Sequence, residues 1–581
     1  MNSERTVSNI KKYNEKKILF KSFFENNRLN LLSGVILVIL SAVLETCLAV
    51  ILQSILDAAS DSDIQGLKRL FFISLVFLFS ITLVELLVRN IKYSFVRRAI
   101  LQYKNTIFCK LMEKNIATFY IEDTSSYVSS LTVDITSIEN NYLIGIFDRI
   151  SLCVKLVTSV CLMVFYNWFL FIMVVVLLAI PSVVSSLMSN GLAEMEEKVS
   201  YKNEEFMGKI RDILMGFTVI KNFKSEKEVS EKFDCEDQML EHSKYQRRKK
   251  EADIGIVSGT LGVSVQILIF LIGAYMSIQG YISVGVVLAF VQLLNTSLNP
   301  IQQLPGMFGN RKAALALVDK MNHYLEKNTA KDKTDSILVE PLKDKVELTH
   351  LNYCYEEGKA ILKNINFQFE AGKSYAVVGL SGSGKTTLLN VLLGMLNDYS
   401  GSVTYDGVDF KRIARDNLYE NIAMMQQNVI IFDSTIRENI TMFKKFPDEN
   451  YEKAVELSGL SELIQRKGND YVCGENGKNL SGGEKQRIAI ARCLLKHYSV
   501  LLLDEATSSL DKKNTKLVMD TILGLKNITR IAVLHQMDPS ILKQFDEIIV
   551  LVNGEITEKN TYESLMEEKG YFYSLQNVDV L

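Results

Sequence analysis

The chain has 581 residues, which is enough for two to four domains that each bury a hydrophobic core. Hydrophobic residues make up 48% of the sequence and charged residues 23%, a mixture typical of a membrane-embedded half joined to a water-soluble half. The formal net charge of −2 excludes a general basic surface for nucleic acid, so no nucleic-acid partner is expected.

Six apolar segments follow a polar, basic N-terminus. Each segment is close to the roughly 20 residues that an α-helix needs to cross a bilayer core. We predict membrane spans at 29–53, 69–90, 143–165, 168–189, 254–277 and 281–300. Membrane lipid is therefore an expected partner, and the chain is expected to be a multi-pass membrane protein.

The connections between the spans differ in length, and the two long ones are basic. Residues 91–142 and 190–253 are poor in Gly and Pro and have helix-like periodicity, which predicts helices that extend into one aqueous compartment. Lys and Arg concentrate in the N-terminus and in both long connections, and the positive-inside tendency assigns these regions to the cytoplasm. We expect both termini to be cytoplasmic and the chain to lie in a bacterial plasma membrane.

The second half of the chain has a different pattern. Residues 328–345 are polar and predict a linker between a membrane domain at 1–327 and a soluble domain at 346–581. In the soluble domain, short β-like runs alternate with helical ones, which is the α/β pattern. The β-like runs are Tyr375–Val378, Val500–Leu503, Ile531–Leu534 and Ile548–Leu551.

The strongest local motif fits GxxxxGK[ST] and lies between a predicted strand and a helical run at 387–396. Its glycines let backbone N–H groups face phosphate oxygens, and the following helix N-terminus adds positive potential. Lys385 is predicted to hold the β- and γ-phosphates of ATP, and Thr386 to ligate Mg²⁺. The predicted phosphate-binding residues are Gly379, Ser381, Gly382, Ser383, Gly384, Lys385, Thr386 and Thr387.

An acidic pair ends the apolar strand that begins at Val500. Asp504 is placed to bind Mg²⁺, and Glu505 to polarise the attacking water as a general base. An acidic pair after a strand is usually a solvated turn. Its position downstream of a phosphate-binding loop favours the catalytic interpretation.

The sequence Asn479-Leu-Ser-Gly-Gly-Glu-Lys-Gln-Arg487 strongly resembles the signature motif of ABC ATPases. Ser481, Gly482 and Gly483 would form a second anion cradle at a helix start. In the ABC family this cradle faces the γ-phosphate held by another domain's phosphate-binding loop. The resemblance therefore implies two such domains sandwiching two ATP molecules, and a second half-transporter chain, identical or different, as partner.

The ABC resemblance assigns further roles. It implies that Tyr355 stacks on adenine, that the catalytic Gln427 lies near Mg²⁺ and the contact with the membrane domain, and that His535 contacts the γ-phosphate. Residues 216–226 and 118–134 are similar to the two cytoplasmic coupling segments of exporters with the type IV architecture. The implied fold is an α-helical six-span membrane domain plus an α/β P-loop nucleotide-binding domain of ABC type.

The predicted function is ATP hydrolysis that drives export of a peptide, lipid or drug-like molecule by alternating access. The long cytoplasmic connections and the fused ATPase disfavour an importer, and the six spans disfavour a soluble ABC-type ATPase. An ATP-gated channel or regulator on the same architecture stays open as the alternative, although Glu505 and His535 favour steady turnover.

The charged residues Glu45, Glu85 and Lys155 fall inside predicted spans. Buried charge in a bilayer is costly and usually faces a partner or water. The sequence allows two interpretations: a polar patch in the translocation cavity, or local pairing such as Glu85 with Arg89 one turn away.

Overall fold

The computed structural model describes residues 19–114, 116–119, 122, 124–326, 337–355, 360–496, 498–505, 512–525, 527–534 and 537–578. These residues form two compact units. One unit comprises the chain up to Cys109 and residues 125–323, and the other comprises residues 110–124 and 324–581.

The first unit is built from long helices. Its helices and the short helices next to them are α1 (Arg28–Ser60), α2 (Ile64–Met112), α3 (Ile116–Phe119), α4 (Thr124–Leu131), α5 (Val133–Ile138), a π-helix (Glu139–Ile144), α6 (Gly145–Tyr166), α7 (Trp168–Met188), α8 (Leu192–Met215), α9 (Phe217–Phe223), α10 (Glu226–Ile278) and α11 (Val284–Glu326). Six helical stretches in the described residues are long and apolar enough to cross a membrane. They overlap all six predicted spans, although the fourth ends at Met188, one residue before the predicted end, and the sixth begins at Val284, three residues after the predicted start.

Both long basic connections are largely helical, as predicted. The first continues α2 as far as Met112, and the second contains α8, α9 and the N-terminal half of α10. The last helix, α11, runs through Pro300 and Pro305 and ends at Glu326, well beyond the predicted end of its span.

The charged side chains within the predicted spans have polar partners. Lys155 of α6 forms an ion pair with Glu45 of α1, and Glu85 of α2 accepts a hydrogen bond from the Ser41 hydroxyl. Arg89 donates to its neighbour Asn90 at 3.1 Å. Glu85 is therefore bound by a residue on another helix, which the local interpretation did not foresee.

The second unit contains two sheets. Its first elements are β1 (Lys345–Cys354), β2 (Ala360–Glu370), β3 (Ser374–Val378), α12 (Lys385–Leu392), β4 (Ser400–Tyr405), β5 (Val408–Asp409), α13 (Arg415–Asn421) and β6 (Ile422–Met425). The remaining elements are α14 (Ile436–Thr441), α15 (Asp448–Leu457), α16 (Ser461–Lys467), α17 (Gly482–Leu495), β7 (Val500–Asp504), α18 (Lys512–Leu523), β8 (Thr529–Val533), α19 (Pro539–Leu542), β9 (Glu547–Val552), β10 (Glu555–Asn560), α20 (Tyr562–Glu568) and α21 (Tyr571–Val578).

The six-stranded sheet has the order β10-β9-β3-β8-β7-β6, in which all strands but β10 are parallel. Every residue of β3, β7 and β8 is buried, as expected for parallel strands covered on both faces. Because the carboxyl ends of parallel strands meet at one edge, the loops after β3, β6 and β7 share that edge. The antiparallel sheet has the order β2-β1-β4-β5.

The predicted helix over 387–396 is wrong in its extent. Helix α12 ends at Leu392, and Gly394 has φ +74°, a left-handed conformation that stops the helix. Helices α14, α15 and α17 form a separate cluster around side chains such as Ile440, Tyr451 and Ile488.

Candidate nucleotide-binding site

The phosphate-binding loop joins β3 to α12 and depends on three glycines with positive φ. Gly379 has φ +152°, Gly382 has φ +81° and Gly384 has φ +105°. A Cβ atom at Gly379 would lie 2.2 Å from the carbonyl oxygen of Leu551, so the main chain there passes too close to β9 for any side chain. The loop curls back on itself because glycine alone adopts these conformations at low cost.

Lys385 occupies the inside of this curl. It is 5% exposed, and its Nζ donates to the carbonyl oxygens of Gly379 at 2.8 Å and Leu380 at 3.0 Å. Burial lowers the pKa of Lys385, while the negative charges of Glu505 and Asp504 act in the opposite direction. The ammonium group is therefore held at the loop by neutral carbonyls, and phosphate oxygens would be stronger partners for it.

The polar side chains of the loop suit a bound triphosphate. The Ser383 hydroxyl is buried and has no hydrogen-bond partner among the described residues. A buried hydroxyl without a partner costs free energy, and a phosphate oxygen would satisfy it. Ser381 is exposed at the tip of the loop, and Thr387 is buried in the first turn of α12. The first N–H groups of a helix have no intrahelical acceptor, so α12 also offers donors to an anion.

The acidic pair lies beside the loop. The Thr386 hydroxyl donates to Asp504 Oδ1 at 3.2 Å, and Gln427 Nε2 donates to Glu505 Oε2 at 2.6 Å. Glu505 has φ +50°, a strained conformation for a residue with a side chain. A hydroxyl and a carboxylate are oxygen ligands of the kind that Mg²⁺ prefers, so Thr386 and Asp504 fit a magnesium ion.

Tyr355 has an accessible ring. Its side chain is 58% exposed, its ring packs edge-to-face on Tyr353 with centroids 5.1 Å apart, and its hydroxyl lies 3.5 Å from Thr387 Oγ1. The edge-to-face contact leaves a ring face free to stack on a base, next to the helix that follows the phosphate-binding loop.

The signature segment begins α17 with a capping box. The Ser481 hydroxyl accepts from Glu484 N at 3.3 Å, and Ser481 N donates to Glu484 Oε2 at 2.7 Å. Burial would raise the pKa of Glu484, but the hydrogen bonds from Ser481 and the charges of Lys467 and Arg466 outweigh it and hold that pKa below its usual range. Glu484 therefore stays ionised at neutral pH and fixes the helix start that presents Gly482 and Gly483.

Hydrogen bonds bring the loop, the acidic pair and Gln427 together, but they do not bring the signature segment to the same place. Thr386 contacts Asp504, and Gln427 contacts Glu505, across separations of more than 70 residues. Within the described part of the chain, no hydrogen bond joins Ser481, Gly482 or Gly483 to the phosphate-binding loop. His535 lies outside the described residues, so its predicted role stays a prediction.

A polar network centred on Arg492 and Asn439 links the Gln427 segment to α17, and local sequence patterns did not predict it. Arg492 donates to the carbonyl oxygens of Ile430 at 2.8 Å and Asn439 at 2.6 Å, and to Asn439 Oδ1 at 2.9 Å. Asn439 is 0% exposed and also bonds the main chain of Phe432 through both side-chain atoms. An arginine within the apolar run Ile488–Leu495 is the one sequence signal for this network.

Replacing Asn439 by Ala is expected to destabilise the ATPase domain. The substitution leaves the Phe432 amide and part of Arg492 buried without partners, which costs about 2 to 3 kcal/mol and lowers the unfolding midpoint by about 5 to 10 °C. Cys473 is buried and accepts a 3.6 Å contact from Asn439 Nδ2, so its alkylation on heating reports local unfolding. The control is N450A, which changes an exposed residue and should leave the unfolding midpoint unchanged. If N439A also left the midpoint unchanged, the assigned role of the network would be contradicted.

Two family descriptions match the sequence. Residues 31–301 match the ABC transporter transmembrane region, and residues 362–508 match the ABC transporter family. The two matches cover separate halves of the chain, so membrane helices and an ATPase domain are fused in one polypeptide.

Similar proteins and a similar structure agree with these matches. The chain is 27% identical to the ATP-dependent lipid A-core flippase of Aliivibrio fischeri over 94% of both chains. It is 25% identical to the ABC transporter ATP-binding protein YfiC of Bacillus subtilis over 82% of this chain and 79% of that protein. A bacterial Atm1-family ABC exporter with ATP bound has the same fold, with a TM-score of 0.82 at 19% identity over 95% of this chain and 98% of that one.

Membrane-spanning helices, a phosphate-binding loop with its acidic pair, and a capped signature helix on one chain define an ATPase that serves membrane transport. The chain belongs to the ABC transporter family, as a half-transporter of the exporter type with an ATP-binding transport ATPase domain.

Proposed function

We propose that this chain exports a substrate across the plasma membrane by alternating access, driven by ATP hydrolysis in a dimer of such chains. The observation that carries the proposal is the convergence of Thr386, Asp504, Gln427 and Glu505 at one edge of the ATPase sheet, on a chain with six candidate spans. These residues supply the proposed magnesium ligands and the base that activates water, beside the phosphate-binding loop.

Each ATP is proposed to lie between two chains. One chain supplies Lys385 and the loop around it, and the other supplies the helix start at Ser481. The separation of these two motifs in the described contacts of one chain supports this arrangement, since each half-site lacks what the other provides. The partner is a second copy or a related half-transporter.

Mg²⁺ is proposed to bind at Thr386 and Asp504, with Gln427 close by. The ion would neutralise charge on the phosphates when bound. Gln427 already orients the Glu505 carboxylate through a 2.6 Å hydrogen bond, so the general base is positioned by the same side chain that neighbours the metal site. His535 is proposed to contact the γ-phosphate.

The proposed orientation places both termini and the long helical connections in the cytoplasm, where ATP is available. The positive-inside tendency supports it, because the basic residues concentrate in those connections. Among the similar proteins are several lipid A-core flippases, which favours a lipid over a peptide or a drug-like molecule as the exported substrate.

The direct test uses inside-out vesicles that contain the full-length protein and a labelled candidate lipid. Wild-type protein is expected to move the label in an ATP-dependent manner, and a K385A variant is expected to lose this movement because the phosphates lose their buried cation. Movement that persists in a hydrolysis-deficient E505Q variant and follows the label's own gradient would instead identify an ATP-gated channel. Cross-linking in native membranes distinguishes a homodimer from a heterodimer.

A further inference from the structure

A cavity in the first unit is lined by two arginines from different helices. It has a volume of about 300 Å³ and lies between the start of α6 and the distal part of α11. Arg149 and Arg311 supply its charge, and apolar side chains such as Ile150 and Phe308 supply much of the remaining wall. A cavity of this kind, apolar with a few converging charged groups, is typical of a small-molecule site.

Arg149 is fixed in place by the main chain. It is 8% exposed, and its guanidinium donates to the carbonyl oxygens of Asn141 at 3.0 Å and Tyr142 at 3.4 Å. Both carbonyls belong to the π-helix that precedes α6, and π-helical turns often occur at functional sites. These two bonds use two of the five guanidinium N–H groups, so donors remain for a further acceptor.

Within the described part of the chain, neither arginine forms an ion pair with a carboxylate, although the neighbouring Asp148 attracts Arg149. Asp148, next to Arg149 in sequence, is bound to Lys92 of α2 at 2.5 Å, and Arg311 forms no ion pair within the described residues. The two guanidinium groups repel each other. Arg149 is buried and Arg311 is exposed, so an anion bound between them would relieve this repulsion, and guanidinium groups suit a phosphate or a carboxylate.

We infer that Arg149 and Arg311 bind the anionic headgroup of an amphiphilic substrate, whose apolar part lies along the Ile150 and Phe308 side of the cavity. This inference rests on the proposed export function and gives the substrate a chemical class. In the proposed orientation the start of α6 is at the cytoplasmic end of its span, so the pair would select the headgroup where the substrate enters.

Cys153 provides a probe because it also lines the cavity and is exposed. Cys161 lies on the same helix, is exposed, and does not line the cavity, so it serves as the internal control. Full-length protein in phosphatidylcholine nanodiscs is alkylated with a maleimide, and the rate at each cysteine is measured by peptide mass spectrometry. The added probes are dodecyl phosphate, dodecylphosphocholine and inorganic phosphate.

Dodecyl phosphate is expected to slow alkylation of Cys153 but not of Cys161, and dodecylphosphocholine and inorganic phosphate to leave both rates unchanged. An R311Q variant is expected to need about tenfold more dodecyl phosphate for the same protection, because one charge-assisted contact is lost. An R311K variant retains most of the protection, and K312Q, which removes the neighbouring exposed charge outside the cavity, retains all of it.

Equal protection by the phosphocholine probe would overturn the requirement for an anion. Protection by inorganic phosphate alone would overturn the amphiphile and identify a site for a free anion. Undiminished protection in R311Q would remove Arg311 from the site. Basal ATP hydrolysis is measured in the same samples, so a failure of the proposed ATPase function is seen separately from a failure of headgroup binding.

Discussion

A Glu505→Gln variant is expected to bind ATP normally and to hydrolyse it about 10² to 10⁴ times more slowly than the wild type. The carboxylate is the general base, and an amide cannot accept the proton of the attacking water. The amide oxygen can still accept the hydrogen bond from Gln427, so the local geometry is preserved while the chemistry is lost. Single-turnover hydrolysis and equilibrium binding of ATP, both on the full-length protein, separate the two effects.

The matched control is Glu449→Gln at an exposed position of α15 in the same domain, which should leave both quantities unchanged. Turnover near the wild-type rate in E505Q would remove Glu505 as the base. A parallel loss of ATP binding in E505Q would show that the carboxylate has a structural role, which is a different assignment.

A Gln427→Ala variant complements the Glu505→Gln variant, because it changes the contact of the base and not the base itself. It removes the donor that holds Glu505 Oε2 but leaves the carboxylate in place, so Gln427 is a positioning residue for the base in the described geometry. Because Glu505 has a strained main-chain conformation, its side chain depends on such contacts for its direction.

Local patterns predicted the elements that carry the site. Strand β3 was predicted from a short apolar run before the glycine-rich loop, and strand β7 from a short apolar run before the acidic pair. The six spans were readable because a bilayer demands about 20 apolar residues in succession, which few other structures require.

Contacts between residues far apart in the chain could not be predicted from one sequence. The Gln427–Glu505 hydrogen bond joins residues 78 positions apart, and the Arg492–Asn439 contact joins residues 53 apart. Such pairs depend on how strands and helices are ordered in space, and no local periodicity encodes that order. The family resemblance supplied the role of Gln427, but nothing in the sequence alone supplied Arg492 or the arginine pair at 149 and 311.

A Gly379→Ala variant is expected to lose ATP binding, and a Gly382→Ala variant to keep most of it. The two glycines lie three residues apart in the same loop, and both have positive φ. The new Cβ at Gly379 would lie 2.2 Å from Leu551 O and 3.0 Å from Ser383 Oγ, whereas a Cβ at Gly382 meets no atom within 4 Å.

The two variants therefore separate steric exclusion from backbone strain. G382A carries only the cost of a left-handed alanine, about 1 kcal/mol. G379A must in addition push the main chain away from β9, which moves the Lys385 acceptors Gly379 O and Leu380 O and destabilises the ATPase domain by about 2 to 4 kcal/mol.

The unfolding midpoint of the full-length protein, measured without and with ATP, reports both the stability of the domain and ATP binding. A ligand that binds only the folded state raises this midpoint. G382A should show a slightly lower midpoint without ATP and a near-normal rise with ATP. G379A should show a clearly lower midpoint and no rise. Equal behaviour of the two variants would mean that the loop tolerates a side chain beside Leu551, and the close approach of β3 to β9 would then not be what shapes the phosphate-binding loop.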